Sequence, residues 1–374
     1  MGTEALQYGM PAAIERPRWT LAAYRHLARK HLAHRAEPQL RSLAHKTWEI
    51  APAESGGTTP PAIFLPGQME RVTGWQEGLF FPYVHPGPTM QGGKPVAHGP
   101  TRGFLLKDVW LIDGALYKGN ATQWLSLRHV SFPSLRIEHE IARAAIYCSH
   151  NGNRWFGTWL MEDCPTYALA CNEGTPVTTA PSARHPMFGQ APAYEAWLGM
   201  QPLRLRTAFF RELVLFDDMS NNRNRYQRYR DMGHRLLSHV PHAAHPGVFI
   251  LRGGAGELRM LRNELELAEH LRVTRGFKVI DPLKLQVSEI IAACAGAQVV
   301  MGVEGSQLVH GVNVLQAGGT IFALQPPDRF VSYYKFLADR DGQHFAFVVG
   351  LPEGDGFRID IAEVERTLDL LPGQ

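Results

Sequence analysis

Two stretches of this chain combine residue types at spacings that fit chemistry. In Trp155-Phe156-Gly157-Thr158-Trp159-Leu160-Met161-Glu162-Asp163-Cys164-Pro165, two adjacent carboxylates stand on an aromatic-rich helix start. Adjacent helical residues diverge by about 100°, so one of Glu162 and Asp163 faces a given cleft and the other is solvated. A carboxylate partly desolvated by Trp155 and Trp159 suits a general base that deprotonates an incoming hydroxyl, while an acid answering the helix dipole is the alternative. The second stretch runs Ala297-Gln298-Val299-Val300-Met301-Gly302-Val303-Glu304-Gly305-Ser306-Gln307. It reads as a buried strand, a Gly302-x-x-Gly305-Ser306 turn and a helix. The N–H groups of Gly305, Ser306 and Gln307 then point to the carboxyl edge of a sheet, where a diphosphate is stabilised. Glu304 either accepts hydrogen bonds from sugar or ribose hydroxyls or caps the helix.

Other stretches are weaker. Arg252-Gly253-Gly254-Ala255-Gly256 follows a strand, and Arg252 adds a fixed charge at the strand end. A dinucleotide fingerprint needs a third small residue, and Arg259 stands there. Asp281 fits a ribose acid superficially, but Pro282 behind it reads as a strand-ending turn. Eight arginines between Arg204 and Arg235 form a cluster that reads as a solvated helix face or as anion contacts. Asp339-Arg340-Asp341 resembles a D-x-D metal motif without a preceding apolar strand and is assigned to a surface turn. No histidine group has zinc spacing.

The elements that hold these residues must come from 374 residues, a length that favours two domains. Thirty-eight Lys and Arg against 35 Asp and Glu give a net charge of only +3, which argues against nucleic acid as a partner. Cys148, Cys164, Cys171 and Cys294 are too few and too irregular for a disulfide framework, and are expected to be reduced and mostly buried. No apolar run has transmembrane length, and the start lacks a secretory pattern, so a cytoplasmic location is expected. Residues 19–35 have helical spacing with Arg18, Arg25, Arg29, Lys30 and Arg35 on the polar side. That helix either docks onto the body of the protein or makes a peripheral contact with an anionic membrane.

Residues 51–103 are rich in Gly and Pro and carry short strands, 62–65 and 79–84. Strands are also expected at 105–112 and 144–148, with helical character over 155–170. A Pro/Gly-rich patch at 174–202 marks the domain boundary, giving a helical extension 1–50, a first α/β domain 51–200 and a second 201–374. The second half alternates: strands 211–216, 247–251, 277–280, 298–301 and 320–324, and helices 226–240, 257–275, 287–295 and 307–316. This predicts βαβ units and a parallel sheet whose ligands sit at the strands' carboxyl ends.

The order of motifs resembles glycosyltransferase family 61, which includes bacterial capsule and exopolysaccharide transferases, plant arabinoxylan transferases and animal protein O-linked GlcNAc transferases. The residues that carry the resemblance are Arg252, Arg262-Asn263-Glu264, Gly276-Phe277, Asp281-Pro282, Ser288-Glu289, Gly302-x-x-Gly305, Gly318-Gly319 and Gln325-Pro326-Pro327. Trp159-Leu160-x-Glu162-x-x-Pro165 is similar to the family's upstream H-W-L-x-D-x-x-P element, whose acid is the proposed base. The chain departs from the family at Thr158 and Glu304-Gly305-Ser306, where histidine and His-Gly-Ala are usual, and Glu162 replaces Asp. The resemblance implies two Rossmann-like domains facing across a cleft, the glycosyltransferase B type. It implies an inverting, metal-independent transfer from a nucleotide-sugar co-substrate, with no other cofactor, to a polysaccharide, glycolipid or related hydroxyl acceptor. Glu162, with Asp163 second, would be the base. Arg252, Gly302, Glu304, Gly305, Ser306 and Gln307 would line the donor site. A non-catalytic nucleotide- or glycan-binding relative is the alternative.

Overall fold

The computed structural model describes residues 13–33, 38–75, 86–127, 132–181, 187–253 and 259–372. The chain packs as two compact units: Met1–Glu54 with Gly99–Arg228, and Ser55–His98 with Tyr229–Gln374. This division corrects the boundary expected at 174–202, which lies wholly inside the first unit. Its prolines and glycines flank short elements that join one sheet, because turn-forming residues mark any chain reversal and not only a linker. The segment Ser55–His98 belongs with the C-terminal residues despite its place in the sequence.

In unit 1 the elements are β1 (Ala13–Trp19), α1 (Ala22–Ala33), β2 (Lys46–Ala51), β3 (Thr101–Ile112), β4 (Ala115–Lys118), β5 (Ala121–Trp124) and β6 (Arg136–Ile146). After β6 come a helical turn Phe156–Thr158, a π-helical turn Trp159–Asp163 and α2 (Cys164–Glu173). Then follow β7 (Thr175–Thr179), α3 (Ala191–Leu198), β8 (Leu203–Leu205) and β9 (Thr207–Asp217). They build one nine-stranded sheet in the order β8-β7-β6-β9-β3-β4-β5, with β1 on β6 and β2 on β3. The strands β8-β7-β6-β9 run parallel, and β9-β3-β4-β5 antiparallel. Unit 1 is thus a mixed sheet, not the all-parallel sheet expected of a Rossmann-like domain. Asp113 and Gly114, both at positive φ, make the tight β3–β4 hairpin that antiparallel pairing needs. The core holds Leu106, Leu111, Ile141, Val177, Phe210 and Leu213.

Helix α1 docks on this sheet through Ala23 and His26, both buried. Thr122 Oγ1 and His26 Nδ1 are 2.8 Å apart, and the Tyr24 hydroxyl donates to the Pro133 carbonyl at 3.0 Å. The helical spacing puts Leu21, Tyr24, Leu27, Ala28, His31 and Leu32 at the apolar positions, but Leu21 and Ala28 are exposed, so the docked face is narrower than that spacing implies. Arg35 and the strand expected at 79–84 lie outside the described residues.

Helix α4 (Arg223–Leu237) contains the point where the two units divide. Unit 2 continues with β10 (His245–Ile250), α5 (Glu264–Thr274), β11 (Lys278–Ile280), α6 (Val287–Cys294), β12 (Ala297–Val303), β13 (Thr320–Gln325), α7 (Tyr333–Asp341), β14 (His344–Val349) and α8 (Ile361–Leu368). The sheet order is β11-β10-β12-β13-β14, parallel throughout. Every residue of β13 and nearly every residue of β12 and β14 is buried, the pattern of parallel strands covered on both faces. Phe249, Met301, Phe322, Leu267 and Val348 are among the core residues. In the expected strand 62–65 only Ile63 pairs, as an isolated bridge to Ala346.

Among the described residues no helix is long and apolar enough to cross a membrane. The four cysteines are free thiols, with Cys171 alone exposed.

Candidate functional site

The strand order of unit 2 reverses between β10 and β12, and open parallel sheets hold ligands outside the carboxyl ends of strands at such a point. Both turns singled out in the sequence emerge there. Arg252 follows β10 and is buried. Its Nη1 donates to the Glu304 carbonyl at 3.3 Å and to Gln307 Oε1 at 3.1 Å. Gly305 explains why the two turns fit: a Cβ there would stand 1.8 Å from Arg252 Nη1 and 2.5 Å from Gln307 Oε1. Gly302 makes a similar fit possible against the adjacent strand, where a Cβ would meet the Ile250 carbonyl at 2.5 Å. The two glycines are thus close-approach positions, Gly305 for a guanidinium and Gly302 for a neighbouring strand.

Family-like residues further along hold this arrangement. Glu264, at the start of α5, accepts the N–H groups of Arg252 (2.8 Å) and Gly253 (3.0 Å), fixing the turn after β10. Its neighbour Asn263 bridges to Ile359 in both directions, donating to its carbonyl at 2.9 Å and accepting its N–H at 3.1 Å. Glu289 accepts the Gln286 N–H at 2.8 Å, closing a capping box at α6. Asp281 accepts the Leu283 N–H at 3.1 Å, which bears out the turn reading for Asp281-Pro282. Tyr334 in α7 donates its hydroxyl to the Gly305 carbonyl at 2.5 Å.

Glu304 is buried and forms an ion pair with Arg259, whose Nη1 also donates to the Glu304 carbonyl at 2.9 Å. Burial pushes its carboxyl pKa up, against the pull of Arg259, Arg252 and Arg329. Burial and the Arg259 charge likewise lower the Arg252 pKa. Ser306 opens a single 3-10 turn, Ser306–Leu308, followed by the short helix Val309–Val312. The helix expected over 307–316 is therefore less than two turns of α-helix, too short for a strong macrodipole. Cationic side chains, not a helix end, dominate the local field. Arg259, which sequence reasoning weighed only as an obstacle to a dinucleotide fingerprint, is a member of the site; its charge and its distance from Arg252 were the available signal. Gly254 and Gly256 lie outside the described residues.

In unit 1, Glu162 and Asp163 end the π-helical turn and both are buried, so neither is the solvated member of the pair. Such turns are rare and occur often at functional sites. They face different partners. Glu162 forms an ion pair with Arg225, which also lies 3.5 Å from Asp218. Asp218 in turn takes Arg228 at 2.6 Å and 2.9 Å, Thr166 Oγ1 at 2.7 Å and Thr101 Oγ1 at 3.2 Å. Asp163 accepts the Ser149 N–H at 3.0 Å and lies against Gly152, where a Cβ would meet its Oδ2 at 1.8 Å. Burial raises its pKa to about 8. Thr158 is buried beside them. A separate recess at the carboxyl ends of β6 and β7 is lined by Tyr147, Trp159, Thr179, Phe188, Glu195 and Arg204.

The arginine cluster is therefore neither a plain solvated face nor a free anion site. Arg204, Arg206, Arg211, Arg225 and Arg228 pair with Glu195, Asp113, Glu140, Glu162 and Asp218 respectively. All but Asp218 lie outside the cluster's own segment, which hid the pairing from the sequence. Asp339-Arg340-Asp341 is corrected too: it ends α7, with the Arg340 and Asp341 side chains buried against each other at 2.6 Å and 2.9 Å and the guanidinium 3.9 Å from the Tyr229 ring centroid. Among the described residues no group of three or more His, Cys, Asp and Glu is arranged to hold a metal ion.

A model of the Glycosyltransferase 61 family matches residues 121–321. No curated protein matches the chain. The match runs from β5 to the start of β13, through Glu162, Arg225 and the turns that carry Arg252 and Gly305, and it covers more than half of the sequence; the chain belongs to glycosyltransferase family 61.

Proposed function

We propose that the protein is an inverting, metal-independent glycosyltransferase that moves a sugar from a nucleotide-sugar to a polysaccharide, glycolipid or related hydroxyl acceptor. The observation that carries this reading is the Arg252 guanidinium laid on Gly305, at the reversal of strand order in a parallel sheet. As the bond between anomeric carbon and diphosphate breaks, negative charge grows on the leaving oxygen. Arg252 and Arg259 are fixed cations that stabilise it without a proton transfer. In the glycosyltransferase B reading, unit 2 handles the donor and unit 1 the acceptor. The base is assigned to Glu162, the carboxylate that stands on the π-helical turn and is paired with Arg225. Asp163 stays protonated up to about pH 8 and suits a structural hydrogen bond better.

The test is transfer with a panel of UDP-, GDP-, CMP- and TDP-sugars. Arg252→Ala is expected to reduce kcat/KM by about 10²-fold or more, and Gly305→Ala to follow it, because a Cβ displaces the guanidinium. EDTA is expected to leave the rate unchanged. Full activity in both variants sinks the reading. A second reading, nucleotide or glycan binding without turnover, is favoured by the closed Glu162–Arg225 pair and by Glu304 among the donor cations. Binding across the panel with no hydrolysis or transfer would decide for it.

A further inference from the structure

Four large apolar side chains stand out of unit 1 beside α1: Trp19 is 69% exposed, Leu21 54%, Phe132 77% and Leu135 36%. They come from two segments more than a hundred residues apart. The backbone joins those segments: Trp19 pairs with Arg136 between β1 and β6, and the Thr20 N–H donates to the Leu135 carbonyl at 3.0 Å. The Tyr24 hydroxyl, on the Pro133 carbonyl, fixes the same junction one helical turn on. Leu21, Arg25 and Arg29 follow one another at intervals of four residues, so they share one stripe of α1, and all are exposed. Arg136 adds a further exposed cation.

Of the nearby acids, Asp113 and Glu140 are engaged elsewhere, and Glu138 stands exposed on β6 two residues from Arg136. Asp113 is held by Arg206 at 2.8 Å, and Glu140 is held by Arg18 at 2.9 Å and by Arg211 at 2.7 Å. Helix α1 contains no acid. The apolar side chains are exposed, and Arg25, Arg29 and Arg136 stand on the adjoining elements α1 and β6. Exposed Trp, Phe and Leu with arginines on adjoining elements fit the headgroup region of an anionic bilayer, where the indole ring sits at the interface and the cations meet lipid phosphates.

From this juxtaposition we infer that unit 1 binds an anionic membrane surface through Trp19, Leu21, Phe132 and Leu135, with Arg25, Arg29 and Arg136 as the electrostatic border. The inference does not depend on the donor site, and it replaces the expected helix-only contact with a surface that β1, α1 and the residues before β6 build together.

Co-flotation of the full chain with vesicles tests it, using phosphatidylcholine alone and phosphatidylcholine mixed with phosphatidylserine. The expected result is binding to the mixed vesicles that weakens with salt. Trp19→Ser with Phe132→Ser should reduce the partition coefficient by at least about tenfold. Arg25→Gln with Arg29→Gln should reduce it by about fivefold for each charge removed. All four positions are exposed, and an unchanged thermal melt verifies the fold of each variant. Equal binding to both vesicle types, no binding to either, or a Trp19/Phe132 variant that floats like the parent overturns the inference. So does the finding that the patch drives only self-association, seen as dimers of the parent that the double variant loses, without vesicle binding.

Discussion

Two charge clusters, the Glu162–Arg225 network of unit 1 and the Arg252–Arg259 group of unit 2, treat buried charge in opposite ways. In unit 1 the carboxylates of Glu162 and Asp218 meet Arg225 and Arg228, so two negative and two positive groups close on one another inside the fold. In unit 2 Glu264 is spent on backbone N–H groups, and Arg252 and Arg259 converge on Glu304 and its carbonyl at the edge of a sheet. A closed network specifies a local structure and is costly to open. A convergent pair of cations around one carboxylate is a place where an added anion finds partners. The family match covers both arrangements, so a shared motif order does not by itself distinguish residues that build from residues that react.

The largest expected effect breaks the closed network. Arg225→Met removes the cation shared by Glu162 and Asp218 and leaves buried carboxylate without its partner, which costs about 3–5 kcal/mol of folding stability. Denaturant unfolding of the variant checks this. Arg252→Ala in unit 2 is expected to cost activity with a much smaller stability change, because Arg252 contacts a carbonyl and an amide oxygen and leaves no buried acid orphaned. Similar stability losses in both variants would erase the distinction between the units.

That distinction was only half legible in the sequence. The parallel sheet of unit 2 was readable because strands such as Thr320–Gln325 are continuous buried runs with turns at both ends. Arg252, Gly302 and Gly305 were readable because strand ends and close turns are local features. Unit 1 was not readable in the same way. Its nine strands mix parallel and antiparallel neighbours, and Ser55–His98, which interrupts it, packs with unit 2. Arg225 could be seen in a cluster, but its partner Glu162 lies 63 residues earlier. An i,i+4 pattern announces itself, whereas a pair closed by tertiary packing does not. The same holds for Asp339-Arg340-Asp341, where a polar run reads as surface until its own ion pair and Tyr229 bury it.

An effect smaller at any one pH step sharpens the comparison through pH. Asp163 in unit 1 has its pKa raised by burial from 3.8 to about 8, whereas burial lowers His310 in unit 2 from 6.5 to about 3. For Asp163 the folded state keeps a proton that the unfolded state has released. Its contribution is therefore fully present below pH 3.8 and is lost as pH rises toward 8. His310 works in the other direction: its contribution is present above pH 6.5 and is lost as pH falls toward 3. Asp163→Asn should remove one proton's worth of slope, at most about 1.4 kcal/mol per pH unit, between those limits. Urea unfolding of parent and variant across the range gives the difference, and parallel curves would show that Asp163 titrates alike in both states.

The smallest effect belongs to the outer members of the same arginine cluster. Arg211 pairs with Glu140 at 2.7 Å, nearly the same distance as the 2.6 Å between Arg228 and Asp218, yet its side chain is 66% exposed where that of Arg228 is 10%. In water the attraction is screened and the arginine gives up rotamer freedom to hold its partner, and Arg18 remains on Glu140 when Arg211 is gone. Arg211→Ala is therefore expected to change stability by less than about 1 kcal/mol and to leave sugar transfer untouched, as unfolding and rate measurements on one preparation would show. A loss comparable to that of Arg225→Met would mean that the cluster acts as one unit. The expected contrast means instead that burial decides which arginines of the segment matter, and distance alone does not.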